Sequence, residues 1–296
     1  MPPTSVPARP VAARSRRPAA AIAAGALLAA LSPALVSTAD AAPSSRLTTE
    51  AVQAGLEPGN ATMGWRSRGA TPDASSAQRS ASAAKAAAPT GVLGIDVASY
   101  QKNVNWTSWV AKGRSFAYVK ATEGTTYRNP YFSSQYIGSY RAGMIRGSYH
   151  FARPDRTPGY RQARYFVANG GGWSADGRTL PGVLDIEYNP YGSVCYGRSK
   201  AAMVSWISSF TKEYKKLTGR NAVIYTTTDW WKRCTGNTKK FSAANPVWVA
   251  RWGASTPGAL PGSAKRATFW QYSASPIDQN WFNGSRSRLK SFALRG

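Results

Sequence analysis

The last two-thirds of the chain carry a rhythm of short apolar runs set apart by polar, Gly- and Pro-bearing stretches. The runs are residues 93–98 (LGIDVA), 116–122 (FAYVKAT), 146–151 (RGSYHF), 183–187 (VLDIE), 222–226 (AVIYT), 247–252 (VWVARW) and 268–272 (TFWQY), with 277–282 (IDQNWF) as an eighth. Each is five to seven residues long and rich in β-branched or aromatic side chains, which predicts strands. Between the early runs, residues 106–112, 130–142, 157–169 and 199–218 read as helices. The second opens on Pro130 and closes near Gly143. The fourth carries an apolar stripe of Met203, Trp206, Ile207, Phe210, Tyr214 and Leu217 at helical spacing. Strands alternating with helices predict a parallel sheet. Eight strands in about 200 residues predict an α/β fold: one irregular (β/α) barrel of the TIM type, its helices missing or shortened late in the chain. A doubly wound open sheet is the alternative. No G-x-G-x-x-G or Walker pattern follows the first run, which removes the usual nucleotide-binding reading.

The barrel pattern occupies residues 91–296, and what precedes it reads differently. Residues 1–41 have the form of a secretory signal: Arg9, Arg14, Arg16 and Arg17, then an apolar stretch over 19–31, then Ala39-Asp40-Ala41 with small residues where a signal peptidase reads. That stretch is too short to span a bilayer, which takes about 20 residues. A soluble, secreted, extracellular protein without a membrane span is expected. Residues 42–90 are Ala-, Ser- and Thr-rich and poor in large apolar side chains, the composition of a mobile, disordered linker or a pro-segment. Trp65, the one large aromatic there, reads as an isolated linker residue.

Composition narrows the chemistry. The 296 residues hold 38 Lys and Arg against 13 Asp and Glu, with one His and two Cys, for a net charge of +25. The single His150 excludes multi-His zinc sites and leaves any Ser-His-Asp or Cys-His machinery dependent on that one side chain. Neither a metal site nor a cofactor is expected. Cys195 and Cys234, in a chain bound for an oxidising compartment, predict one disulfide closing a loop of about 40 residues, worth about 3–4 kcal/mol. A catalytic thiol is the alternative, and the only His lies far from it in sequence. The charge points to an acidic partner: nucleic acid, an anionic surface or an anionic polymer.

The barrel residues contain only nine carboxylates: Asp96, Glu123, Asp155, Asp176, Asp185, Glu187, Glu213, Asp229 and Asp278. Asp185 and Glu187 are two apart on one run, so both point to the same face; in a barrel that face is the interior, which opens at the strands' C-terminal ends. Asp96 holds a matching place on the first run, and Asp278 follows the 268–272 run. Two adjacent carboxylates repel, so one keeps its proton to higher pH, giving the acid and the stabiliser that glycoside hydrolysis needs. Tyr149, Tyr225, Trp252 and Tyr272, near the ends of their runs, are suited to stack on sugar rings; core packing is the alternative for each.

The segments GIDVASYQ (94–101), YVKATEG (118–124), GSYHF (147–151), DIE (185–187), IYT (224–226), WQY (270–272) and IDQN (277–280) resemble, in order, glycoside hydrolase family 25, the Chalaropsis-type lysozymes or N-acetylmuramidases. The resemblance implies cleavage of the β-1,4 bond between N-acetylmuramic acid and N-acetylglucosamine in bacterial peptidoglycan. It implies Glu187 as general acid, Asp185 stabilising the developing charge or orienting the substrate's N-acetyl group, and Asp96 and Asp278 as further site carboxylates. Tyr149 and Tyr225 would contact the sugar; Lys120, Glu123 and Gln271 are weaker carry-overs. It favours retention by substrate assistance. Ala98 departs from the family's usual Ser or Asn and touches no catalytic assignment. A monomer is expected, drawn by charge to anionic wall polymers. The competing reading is a non-catalytic basic, aromatic module for a wall polymer or nucleic acid; carboxylates in the groove speak against phosphate. An amidase built on His150 would need a nucleophile elbow, and no G-x-S-x-G is present.

Overall fold

The computed structural model describes residues 46–68 and 91–295. The signal sequence expected over residues 1–41 lies outside the described residues.

Nine strands form one sheet: β1 (Val92–Val97), β2 (Arg114–Glu123), β3 (Tyr127–Arg128), β4 (Ile145–Phe151), β5 (Val183–Asp185), β6 (Val223–Thr226), β7 (Val247–Ala250), β8 (Phe269–Ser273) and β9 (Gln279–Phe282). Their order is β1-β9-β8-β7-β6-β5-β4-β2-β3, and β1 also pairs with β2, so eight strands close a barrel with β3 as an appendage. Closure leaves the barrel strands no free edge. Seven of them run parallel; β9 is antiparallel to both β8 and β1. This departs from the all-parallel expectation, and the cause is loop length. The few residues between Ser273 and Gln279 are too short for a crossover, so the chain must return beside β8 in the opposite sense.

Period-two alternation sorts the side chains into two cores. Phe116, Tyr118, Tyr149, Val183, Val223, Tyr225, Trp248, Phe269 and Phe282 fill the barrel interior. Their rings pack at centroid separations of 5.0 Å for Tyr118–Trp248 and 5.3 Å for Tyr225–Trp248. Alternate residues such as Leu184, Ile186 and Ile224 face outward against the helix Lys200–Thr218, which buries Met203, Trp206, Ile207, Phe210 and Tyr214 of its predicted stripe and leaves Leu217, in its last turn, exposed. Ser199 caps its start through a side-chain hydrogen bond to Ala202 N–H, and Gly219, at φ 74°, ends it in the left-handed region. The other expected helices appear at Trp106–Ala111, Phe132–Arg141 and Gly159–Phe166. Two more, Thr228–Thr235 and Arg286–Arg295, have no counterpart in the sequence reading. The last of these seals the barrel floor: Leu289 and Ala293 are buried, and Arg220 donates to Phe292 O at 2.9 Å beside the final carbonyls. Cys195 and Cys234 are disulfide-bonded, tying the loop after β5 to the helix Thr228–Thr235.

Residues 46–68 do not behave as a linker. Two short helices, Thr49–Gln53 and Trp65–Arg68, gather Ala51, Leu56, Ala61 and Trp65 around Phe151 of β4. Trp65 is 1% exposed and its indole N–H donates to Tyr188 O at 2.8 Å. The composition is too poor in apolar residues to build a core alone, but it suffices against a surface that the barrel already supplies.

Candidate active site

The barrel strands and the residues just beyond them deliver polar side chains to one mouth of the barrel. From β1 comes Asp96, 1% exposed, whose Oδ2 accepts from Gln271 Nε2 on β8 at 2.9 Å and from Asn280 Nδ2 on β9 at 2.7 Å. Gln271 is a hub: its Oε1 also accepts from Tyr225 OH on β6 at 2.7 Å and from Trp252 Nε1 after β7 at 2.9 Å. Because β9 runs antiparallel, its starting end lies at the mouth, and Asp278 sits there, buried, with its carbonyl accepting the Asp96 N–H at 3.2 Å. Three strands are thus joined around Asp96 by groups that fix its carboxylate without neutralising it.

On β2 the register shifts between Lys120 and Thr122, a β-bulge. Strict alternation would send Thr122 inward and Glu123 outward. The bulge reverses this: Thr122 turns out to meet His150 at 2.8 Å, and Glu123 turns in. Glu123 Oε2 and Lys120 Nζ form a buried ion pair at 2.7 Å, and Tyr191 OH donates to Glu123 Oε1. Burial lowers the Lys120 pKa from its ordinary range, opposed by Glu123.

Asp185 ends β5 and Glu187 follows two residues on; Leu184 and Ile186 between and before them face the outer core, so both carboxylates turn inward. Both are essentially inaccessible to solvent. Neither Asp185 oxygen receives a hydrogen bond. Burial raises the Asp185 pKa well above the ordinary carboxylate value, and the neighbouring Glu187 raises it further, while Lys120 pulls it down. Glu187 Oε1 accepts the backbone N–H of Gly64 at 2.6 Å. Burial without a donor, beside Glu187, favours the proton on Asp185 in this conformation.

The structure therefore brings together Asp96, Asp185, Glu187, Asp278, Tyr149, Tyr225, Trp252, Gln271, Lys120 and Glu123 of the expected site. Tyr272 does not join them. Alternation along β8 turns Gln271 inward and Tyr272 outward, where its ring packs on Trp270 at 5.8 Å. Asn280 and Tyr191, which hold Asp96 and Glu123, were not singled out from the sequence; Asn280 is legible in hindsight as two residues past Asp278 on the same face. Among the described residues, no group of three or more His, Cys, Asp or Glu is arranged to hold a metal ion. His150 faces away from the mouth, fully buried between Phe166 and Phe210, its ring nitrogens engaged by Thr122 and Gln162. Burial lowers its pKa to about 3, so it is a neutral packing residue.

A closed barrel with five carboxylates converging at its mouth matches a known architecture. Residues 95–281 match the model of glycosyl hydrolases family 25. The chain belongs to that family. It is 47% identical to Lysozyme M1 of Streptomyces globisporus over 96% of this chain and 97% of that one. It is also 47% identical to the N,O-diacetylmuramidase of Chalaropsis sp., a match spanning 68% of this chain and 99% of the relative. The crystal structure of the Streptomyces coelicolor lysozyme superimposes with a TM-score of 0.68 at 51% identity, covering 70% of this chain and 99% of that one. The last two of these proteins are matched almost end to end by a length equal to that of the barrel. The match to Lysozyme M1 is too extensive to leave residues 46–68 out.

Proposed function

We propose that the barrel is a secreted muramidase in which Glu187 is the general acid and Asp185 orients the substrate's acetamido group. The muramidase activity, hydrolysis of peptidoglycan, belongs to the chain as a family 25 enzyme; the residue roles, the export and the attraction to anionic wall polymers are our reading. One observation carries the roles: Glu187 holds a hydrogen-bond donor while both oxygens of the buried Asp185 have none.

Binding a muramic acid residue in the place that Gly64 holds beside Glu187 inverts that arrangement. The glycosidic oxygen is an acceptor, and facing it Glu187 is stabilised in its protonated form. The acetamido N–H is a donor, and it supplies what Asp185 lacks, drawing the charge to Asp185. The proton of the pair thereby moves to Glu187, where it is transferred to the leaving oxygen as the C–O bond breaks. The acetamido carbonyl oxygen, aimed by Asp185, closes on the anomeric carbon, and water later opens that intermediate with retention. The carboxylates of Asp96 and Asp278 stabilise the positive charge developing on the sugar, and they act strongly where the bound sugar excludes water from the mouth. Tyr225 and Trp252, fixed through Gln271, offer flat faces to the ring. The nucleic-acid reading fails on the same carboxylates, which repel phosphate, and the amidase reading fails on His150, which lies on the wrong face.

The test uses residues 91–296 on a suspension of bacterial walls, following turbidity and new reducing ends. Glu187→Gln should lower release by about 10²–10⁴-fold with the fold intact by circular dichroism. Clearing at the parent's rate removes Glu187 as the acid; binding without reducing ends makes the chain a wall-binding module.

A further inference from the structure

The segment 46–68 lies across the mouth just described. Three of its backbone groups engage the site: Gly64 N–H donates to Glu187 Oε1 at 2.6 Å, Ala61 N–H to Glu123 Oε2 at 3.2 Å, and Ala61 O accepts from Lys120 Nζ. Between them Met63, with no exposed surface, inserts into the barrel interior alongside Tyr149 and Tyr225. Gly64 is pressed so close that a Cβ would stand 2.5 Å from Trp252, 2.8 Å from Gln271 and 3.0 Å from Tyr225, and its φ of 69° is in the region glycine favours. Anchors flank this core contact on both sides: Trp65 in its pocket under Tyr188, Asn60 accepting from Ser99 Oγ at 2.6 Å, Gly59 N–H donating to Tyr191 OH at 2.9 Å, and Thr48 N–H donating to Pro190 O at 2.8 Å.

We infer that residues 46–68 are an intramolecular inhibitor that occupies the sugar-binding mouth, so that the chain is latent until cleavage between residues 68 and 91 releases the barrel. The inference rests on the mouth being the muramidase site. The block is steric and electrostatic at once. Met63 and Gly64 fill the space in front of Glu187, Tyr225 and Trp252. The Gly64 N–H stabilises Glu187 as the carboxylate, the form that cannot protonate a leaving group. The tether matters as well. Joined to the barrel, the segment competes at the effective concentration of an intramolecular ligand; once cut, it dissociates on dilution. The chain between the two parts, residues 69–90, is rich in Ala and Ser and carries Arg79 and Lys85 as basic cleavage points. The eight barrel strands close on one another without it, and two similar proteins are matched almost end to end by a length equal to that of the barrel. A structural brace has no need to reach the catalytic acid.

The experiment compares three proteins on soluble peptidoglycan oligosaccharides: the chain from residue 42 onward, the same chain with a site for a specific protease placed within 69–90, and residues 91–296. The uncut chain should have a kcat/KM at least 100-fold below that of residues 91–296, and cutting followed by dilution should restore it. A peptide of residues 46–68 added to the barrel should raise KM and leave kcat unchanged. Gly64→Ala and Trp65→Ala, neither in the catalytic machinery, should each raise the activity of the uncut chain at least tenfold. Equal activity of the uncut chain and the barrel overturns the inference, and so does an uncut chain that stays latent in both variants. Occupancy is read without turnover by hydrogen exchange, where the Gly64 and Ala61 amides should be slow in the uncut chain and fast in Trp65→Ala. Fast exchange in the uncut parent overturns the inference. An inactive residues 91–296 overturns the muramidase assignment instead, and leaves the exchange result standing.

Discussion

Asp185 puts the mechanism and the stability of the barrel in opposition, and one substitution measures both. The side chain is wholly buried, neither oxygen is hydrogen-bonded, and burial first and Glu187 second raise its pKa well above the ordinary carboxylate value. In the unfolded chain the same carboxyl titrates near about 3.9. Between that pH and its folded pKa the folded protein holds a proton that the unfolded chain has released, so its contribution to stability falls as pH rises through that window. Holding a proton against pH 7 costs about 1.4 kcal/mol per unit above the unfolded value, which bounds the penalty at about 4 kcal/mol. A single unsatisfied buried polar group costs about 1–3 kcal/mol. Asp185→Asn keeps the shape and removes the titration. It should therefore be more stable than the parent by about 1–4 kcal/mol at pH 7 and nearly equal to it near pH 3.5. For a domain of this length each kcal/mol moves Tm by about 2–4 °C. Calorimetry of the chain from residue 42 onward, in which residues 46–68 keep Asp185 buried, reads the difference at the two pH values, and reducing-end release by residues 91–296 should fall by about 10²-fold or more with the same substitution. A variant no more stable than the parent at pH 7, or stabilised equally at both pH values, refutes the argument that an unpaired buried carboxyl strains this site.

The only His should act with the opposite sign. His150 is neutral when folded, with its pKa lowered to about 3 by burial, so as pH falls from about 6.5 the unfolded chain takes up a proton that the native state refuses, and stability is lost. His150→Asn should flatten the stability–pH curve between about pH 6.5 and 3 by up to one proton, read from denaturant midpoints. Opening the Cys195–Cys234 bridge with a double Ser variant frees a loop closed across a separation of 39 residues and should cost about 4 kcal/mol, measured as a lowered midpoint with wall clearing retained at 25 °C.

The strands were legible because each barrel run is apolar on both faces or alternates cleanly, and Asp185 and Glu187 were legible because a period of two is rigid. What failed to show had specific causes. The bulge on β2 that turns Glu123 inward leaves no mark in the sequence, and alternation alone would have chosen Thr122. Tyr272 lies near the strand end but one residue past the inward-facing Gln271, and parity, not nearness to the end, decides which side it faces. The helix Thr228–Thr235 carries its signals, Thr227 accepting from Trp230 N–H and Gly236 at φ 67°, but it is only two turns long. Residues 46–68 were hardest of all. Their helices span five and four residues, and the face that buries Met63 and Trp65 belongs to the barrel. A segment that folds on a template has no periodicity of its own to read.

The charge imbalance gains its meaning from where the few carboxylates go. Of the nine in the barrel residues, Asp96, Glu123, Asp185, Glu187 and Asp278 line the mouth. The other four are engaged locally: Asp155 with Arg153 at 2.7 Å, Glu213 with Arg164 at 2.6 Å, Asp176 with the Arg178 and Thr179 backbone, and Asp229 with Tyr188 OH. The barrel as a whole nonetheless carries +20. Negative charge is thus concentrated at one buried point, while the surface is left to Lys and Arg. A wall polymer bearing carboxylates or phosphates is attracted from every side, by forces that salt screens over about 8–10 Å. The acid residues work inside the mouth, beneath the bound sugar, where that screening is weak. The two requirements, a cationic exterior for the polymer and an anionic pocket for a positively charged transition state, conflict only if the charges share a dielectric. Burying one set and exposing the other is what lets a single small barrel meet both.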